Sequence, residues 1–199
     1  MKICFVLGTR PEIIKLFPLI KLCTDEKIQY FIIHTGQHYS YMMDKKFFLD
    51  FNIKPKYILN REKSFITSTI DKISPIFLRE KPDYIINQGD TNTVLASALA
   101  CNKLSLNMID NKKFKLVHVE SGLRSHDKSM PEEINRIIAD QLSDILLVPT
   151  PESQKNLIKE NISKKKIYIV GNTISDSIKL NKKKINTQIL SSLKLKKKD

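Results

Sequence analysis

Six short runs rich in apolar residues recur along the chain, at Lys2–Leu7, Tyr30–His34, Asp83–Asn87, Lys115–Val119, Ile145–Val148 and Ile167–Val170. Within them apolar residues follow one another instead of alternating with polar ones, which is the pattern of strands covered on both faces. Between them, helical spacing predicts Pro11–Cys23, Tyr41–Phe51, Phe65–Arg79, Thr91–Cys101, Pro131–Leu142 and Glu152–Glu160. Strand and helix in repeated alternation imply right-handed crossovers, and therefore an α/β fold on a doubly wound parallel sheet. The polar stretch Asn102–Phe114 predicts a loop insertion between a helix and a strand. After Gly171 the pattern weakens: Asn172–Leu180 reads as the start of another helix, and the chain then turns lysine-rich.

Charge changes this picture only at one end. Lys and Arg number 34 against 21 Asp and Glu, a net +13 over 199 residues. Residues 159–199 carry 12 basic and 3 acidic side chains, so most of the excess belongs to the tail. Clusters such as Lys164–Lys166, Lys182–Lys184 and Lys196–Lys198 attract polyanions in principle. No aromatic side chains interleave with them for base stacking, so a solvated helix face and a frayed end is the preferred reading, with no nucleic-acid partner. Three cysteines, Cys4, Cys23 and Cys101, stand far apart with no C-x-x-C and no histidine at ligand spacing. That argues against a zinc site and for a reducing compartment. The first apolar run is interrupted too soon for a signal peptide, and no stretch approaches the roughly 20 apolar residues of a membrane span. A cytoplasmic protein with no membrane partner is expected.

The chemistry gathers where predicted strands end, which in open α/β sheets is where ligands bind. After the first strand comes Gly8-Thr9-Arg10-Pro11-Glu12. Thr9 and Glu12 fit an S/T-x-x-E capping box and Pro11 suits a first helical turn. The amides of such a turn favour an anion, to which Arg10 adds a planar fork and Lys15 a point charge. By itself this turn reads equally well as a helix cap beside a surface arginine. Three more glycine-containing polar turns follow strands: His34-Thr35-Gly36-Gln37-His38, Gln88-Gly89-Asp90-Thr91, and Val119-Glu120-Ser121-Gly122-Leu123-Arg124. Met130–Arg136 then opens a helix on which Glu132, Asn135 and Arg136 share one face and Ile134, Ile137 and Ile138 form the expected packing face. Alone, Glu132 and Arg136 read as a surface ion pair.

Taken together, GTRPEIIK, HTGQH, QGDTNT, HVESGLRS and MPEEINR, followed by VPTPESQKNL and IYIVGNT, resemble the non-hydrolysing UDP-N-acetylglucosamine 2-epimerase family over roughly residues 1–178. The resemblance implies a Rossmann-like half of a two-domain GT-B-type architecture, with residues 1–175 as the first domain. Residues 176–199 would be a linker or the truncated start of the second, and 179–199 are unlike the family's continuation. It implies epimerisation at C2 of a UDP-N-acetylhexosamine, UDP-N-acetylglucosamine to UDP-N-acetylmannosamine, by elimination and re-addition of UDP. No cofactor and no metal are implied; the partners implied are a UDP-sugar substrate and a second copy of the chain, and the product would feed surface polysaccharide synthesis. Carried over by position, Asp90, Glu120 and Glu132 are the catalytic carboxylates. Arg10 and Lys15 face the nucleotide-sugar, Arg124 and Arg136 are further cations at the site, and Gln37 and His38 touch the sugar. Three carboxylates in one pocket repel, so one of them is expected to carry a raised pKa. Four other readings stand beside this one: a hydrolysing relative, an epimerase of another UDP-amino sugar, a glycosyltransferase of similar architecture, and a non-catalytic half that binds a partner or polyanion through its tail.

Overall fold

The computed structural model describes residues 1–37, 41–106 and 114–182. Its elements run β1 (Lys2–Leu7), α1 (Arg10–Asp25), β2 (Gln29–His34), α2 (Tyr41–Asp50), β3 (Tyr57–Ile58), α3 (Phe65–Glu80), β4 (Tyr84–Gln88), α4 (Asn92–Leu106), β5 (Lys115–Val119), α5 (Pro131–Leu142), β6 (Ile145–Val148), α6 (Pro151–Lys159), a single 3₁₀ turn at Lys164–Lys166, β7 (Ile167–Ile169) and α7 (Thr173–Asn181). The sheet has seven strands in the order β3-β2-β1-β4-β5-β6-β7, and every pairing is parallel. The doubly wound parallel sheet expected from the sequence is therefore present.

Continuous apolar runs make sense in a sheet with two covered faces. Cys4, Val6, Ile33, Ile85 and Leu116 point to the side packed by α3, α4 and α5, while Ile3, Phe5, Leu7, Ile32 and Val117 point to the side packed by α1 and α2. On α1, Ile13, Leu16 and Ile20 recur at helical spacing and are fully buried; each contributes about 1.5–3 kcal/mol. A third, smaller cluster of Leu146, Val148, Leu157, Ile162 and Ile167 seats α6.

Two features differ from the sequence reading and a third agrees with it. A seventh strand, β3, is only two residues long, Tyr57–Ile58, too short to leave a periodic signal. Helix α4 continues to Leu106, so the first part of the supposed insertion is helical; residues 107–113 lie outside the described residues, and Phe114 is buried in the core. The helix expected after Gly171 forms, running from Thr173 to Asn181.

That last helix is fixed by an unusual complement. Pro18 lies inside α1 and has no amide to give to the carbonyl four residues earlier, on Ile14. The hydroxyl of Ser177, on α7, donates to that Ile14 carbonyl instead.

At the opposite edge of the sheet from the strand-end turns, Glu80 clasps two strands to α3. Its carboxylate accepts from Lys2 Nζ and Lys56 Nζ, each at 2.6 Å, and from the Tyr57 hydroxyl. These bonds, that from Lys2 foremost, hold the carboxyl down at about 2 against an ordinary 4.5. Because the folded value is depressed, the stabilisation is complete above pH about 4.5 and is lost as pH falls towards 2. Denaturant titrations across that window should show stability falling in the wild type and a shallower fall in Glu80→Gln.

Candidate active site

The order of strands reverses between β1 and β4, and their carboxyl ends frame the cleft. Gly8, straight after β1, has no room for a side chain: a Cβ would lie 2.0 Å from Thr35 Oγ1 and 2.4 Å from Thr93 Oγ1. Those hydroxyls bond each other at 2.7 Å. Gln37 Oε1 accepts from the Thr93 amide and hydroxyl, both at 2.9 Å, so it caps α4 while lining the cleft. His38 lies outside the described residues.

The capping box does not form as expected. Thr9 is the N-cap residue of α1, but its side chain takes no helix amide. Glu12 accepts from the Gly8 N–H at 2.8 Å and from the Thr91 hydroxyl at 2.7 Å, bridging the turns after β1 and β4. It is buried, and desolvation pushes its carboxyl up to about 7 despite the bonds from Thr91 and Gly8. The sequence offers Glu12 only as a helix cap; the structure makes it the raised carboxyl of this cleft. For an acid with a raised folded pKa, the folded state holds a proton that the unfolded chain has released between pH 4.5 and about 7. Stability should therefore decline as pH climbs through that window, by on the order of 3 kcal/mol in all. Glu12→Gln should flatten the slope in denaturant titrations, and an unchanged slope would assign it to other groups.

Glu120 follows β5 with φ at +65°, the left-handed region that a branched or long side chain enters at some cost. The turn is held open by β6: the amides of Glu120 and Ser121 both donate to Leu147 O, at 3.0 and 3.2 Å. This backbone aims the carboxylate at Lys15 Nζ, 2.6 and 2.8 Å from its two oxygens, and Gln88 Nε2 donates to it at 2.7 Å. Asp90, after β4, pairs with Arg136 of α5, and its carbonyl accepts from Asn135 Nδ2 at 2.9 Å. Glu132, at the start of α5, lies exposed on the cleft wall and has no polar partner among the described residues. Two of the three expected carboxylates, Asp90 at the cleft and Glu120 behind Lys15, are thus already matched by a cation.

Two expectations about this region are corrected. The isoleucine face of α5 is not its buried face: Ile134 is 38% exposed, whereas Glu133, Asn135 and Asp140 are buried. Those polar side chains go inward because each has partners there. Glu133 accepts the amides of Ser125 and His126, both at 3.0 Å, and Arg136 Nη1 at 2.9 Å. Arg124, expected at the substrate, has a side chain only 1% exposed and is held by Asp140 at 2.8 Å and Glu160 at 2.6 Å. Two carboxylates satisfy its guanidinium, leaving it to pin the turn after β5 to the end of α6. Arg10, at the first position of α1, is half-buried and has no hydrogen-bond or ion-pair partner among the described residues.

The cavity between these turns measures about 440 Å³, and Glu12, Lys15, Asp90, Thr91, Glu132 and Asn135 are among its lining residues. Carboxylates enter it from the α1 turn, the β4 turn and α5, with Glu120 behind Lys15. Such a set can take a proton from one direction and return it from another, beside cations that offset developing negative charge. Residues 183–199, which hold half of the tail lysines, lie outside the described residues. Among the described residues no helix is long and apolar enough to cross a membrane.

Residues 20–199 match the family model described as UDP-N-acetylglucosamine 2-epimerase. A UDP-N-acetylglucosamine 2-epimerase of Methanocaldococcus jannaschii is 48% identical over 182 residues, 89% of this chain and 48% of that protein. The crystal structure of the M. jannaschii enzyme in complex with UDP-GlcNAc and UDP superposes with a TM-score of 0.87 at 45% identity, covering 96% of this chain and 52% of that one. A UDP-2,3-diacetamido-2,3-dideoxy-D-glucuronate 2-epimerase of Pseudomonas aeruginosa is 38% identical over 185 residues, 89% of this chain and 50% of that protein. The chain spans about half the length of these relatives. By the family match and by these identities, it belongs to the UDP-N-acetylglucosamine 2-epimerase family.

Proposed function

We propose that this chain is the half of a UDP-N-acetylglucosamine 2-epimerase that carries the acid–base groups. The observation that supports this most is the approach of Asp90 and Glu132, from separate elements, to one cleft at the reversal of strand order, with Glu120 behind Lys15 at its edge. In the proposed reaction one carboxylate takes the proton from C2 of the sugar. The C–H electrons become the C1–C2 double bond, and the bond from C1 to the diphosphate oxygen breaks, releasing UDP. A second acid returns a proton to the other face of C2 as UDP adds back at C1. Arg10, unpaired among the described residues, faces the departing diphosphate, where its fork matches phosphate oxygens. Lys15 and Arg136 hold Glu120 and Asp90 in place. Gln37 borders the sugar, and His38 is assigned to it by resemblance alone.

The substrate is UDP-N-acetylglucosamine, in keeping with the name of the relative at 48% identity. The relative at 38% makes a diacetamido-glucuronate sugar nucleotide the second reading. The protein acts as a homodimer in the cytoplasm, upstream of surface polysaccharide synthesis; sedimentation velocity tests the dimer. The function itself is tested by incubating the chain with UDP-N-acetylglucosamine in heavy water, alone and joined to the second half of a relative. Deuterium at C2 with the UDP bond intact is the expected result. Free N-acetylmannosamine means hydrolysis, and product formed only with an added acceptor means glycosyl transfer; either overturns the proposal.

A further inference from the structure

Beneath the two turns that carry Asp90 and Glu120 runs a buried chain of polar groups to which the reaction above assigns nothing. His118, on β5, is wholly buried. Its Nδ1 lies 2.7 Å from Asp140 Oδ1 and its Nε2 lies 2.8 Å from the Gly89 carbonyl oxygen. On the far side, Asp140 Oδ2 takes the Gly122 amide at 3.1 Å and Arg124 Nη2 at 2.8 Å. Arg124 in turn gives Nε and Nη2 to Glu160 at 2.7 and 2.6 Å.

A carbonyl oxygen only accepts, and Asp140, with two donors already on one oxygen, is an acceptor as well. Both ring nitrogens of His118 therefore face acceptors at hydrogen-bond distance. An imidazole with a bare Nε2 would set a lone pair against the Gly89 oxygen at a position closed to solvent. Donation from both nitrogens satisfies every contact, and the groups then alternate in sign from His118 through Asp140 and Arg124 to Glu160.

We infer that His118 is a positioning residue, donating from both ring nitrogens, that clamps the Gly89–Asp90 turn to the Glu120–Gly122 turn through Asp140. Gly89 stands directly before Asp90, with φ at +83° and its amide on Val119 O at 3.1 Å. Its carbonyl is a main-chain handle by which β5 fixes where Asp90 begins. Gly122 stands two residues after Glu120, and its amide is the matching handle on the other turn. One imidazole and one carboxylate thus set the spacing of two carboxylates that arrive from different strands. The clamp also accounts for Arg124, which steadies Asp140 from behind. Its catalytic meaning rests on the epimerase reading; its hydrogen bonds do not.

The test uses the ¹⁵N,¹³C-labelled chain. In the folded chain both His118 nitrogens should carry protons. A through-hydrogen-bond coupling should connect Nε2–H to the Gly89 carbonyl carbon. A bare Nε2 in the folded chain overturns the inference whatever the enzyme does. In Asp140→Asn the side-chain oxygen stays with the Gly122 amide and Arg124 while its NH2 turns to His118 Nδ1 and donates. Nδ1 should then lose its proton and the Asp90 amide resonance should move, although the substituted side chain does not touch Asp90; an unmoved Asp90 amide overturns the positioning role. If that variant does not fold, the wild-type spectrum decides alone. In a two-domain form that turns over UDP-N-acetylglucosamine, His118→Gln should lower kcat about a hundredfold with KM little changed; a kcat near that of the wild type also overturns the role. Absence of turnover in the wild type, with both nitrogens protonated, would count against the epimerase reading and leave the clamp standing.

Discussion

Gly122→Ala should cost the chain about 3 kcal/mol or more and loosen α6 from the sheet. Gly122 sits at φ +77°, where an L side chain loses roughly 1–2 kcal/mol. The added Cβ would also meet Ser153 O at 2.4 Å and Ser153 C at 2.9 Å, and these are backbone atoms of the first turn of α6. A flexible side chain can swing aside; a helix backbone cannot do so without moving the whole helix, which adds about 1–3 kcal/mol. The contact cannot simply be surrendered either, because Asn156 Nδ2 donates to the Gly122 carbonyl at 3.0 Å and Asp140 holds its amide. Gly89→Ala is the control: φ is +83°, yet its Cβ would meet nothing within 4 Å, so only the backbone strain applies. Denaturant unfolding of the two variants should separate them by at least about 1 kcal/mol. Equal losses would mean that the α6 contact carries no weight.

The second large effect is on turnover. In a two-domain form active on UDP-N-acetylglucosamine, Asp90→Asn, Glu120→Gln and Glu132→Gln should each lower kcat by about 10²–10⁴, the usual worth of a positioned acid or base. Each keeps the shape of the side chain and removes its ability to hold or release the proton. Stability should change little, within about 1 kcal/mol, because the ion pairs lost at Asp90 and Glu120 lie partly in solvent. Lys15, released from Glu120, can turn outward to water, and Arg136 keeps Glu133 as its partner. Melting curves and steady-state rates on the same preparations check both halves of the expectation. Full activity in all three variants would remove the acid–base roles assigned to them.

What could be read from the chain before folding divides along a physical line. The strands were legible because a sheet covered on both faces favours uninterrupted apolar residues, as in Ile3–Leu7 and Ile145–Val148. The rim was legible because glycine-bearing turns at strand ends are where such sheets meet ligands, so Asp90, Glu120 and Lys15 stood out by position. Side-chain direction was not legible. Glu12 belongs to a capping pattern that local spacing explains fully, and only the approach of Thr91 from the turn after β4 brings it into the cleft. Arg124 lies in the same short motif as Glu120, yet Asp140 and Glu160 draw it inward from elements far along the sequence. On α5 the periodicity of isoleucines outweighed Glu133 and Asp140 because no sequence pattern announces the amides and histidine that make polar burial stable.

The Pro18–Ser177 complement has a consequence for inheritance. A proline in mid-helix leaves a defect that a hydroxyl from elsewhere repairs, so the two positions are coupled through one carbonyl. A lineage that regains an amide at position 18 frees position 177 to vary, while one that loses the serine first must bear an open carbonyl until the proline goes. The order of those two events is thereby constrained by a single oxygen atom.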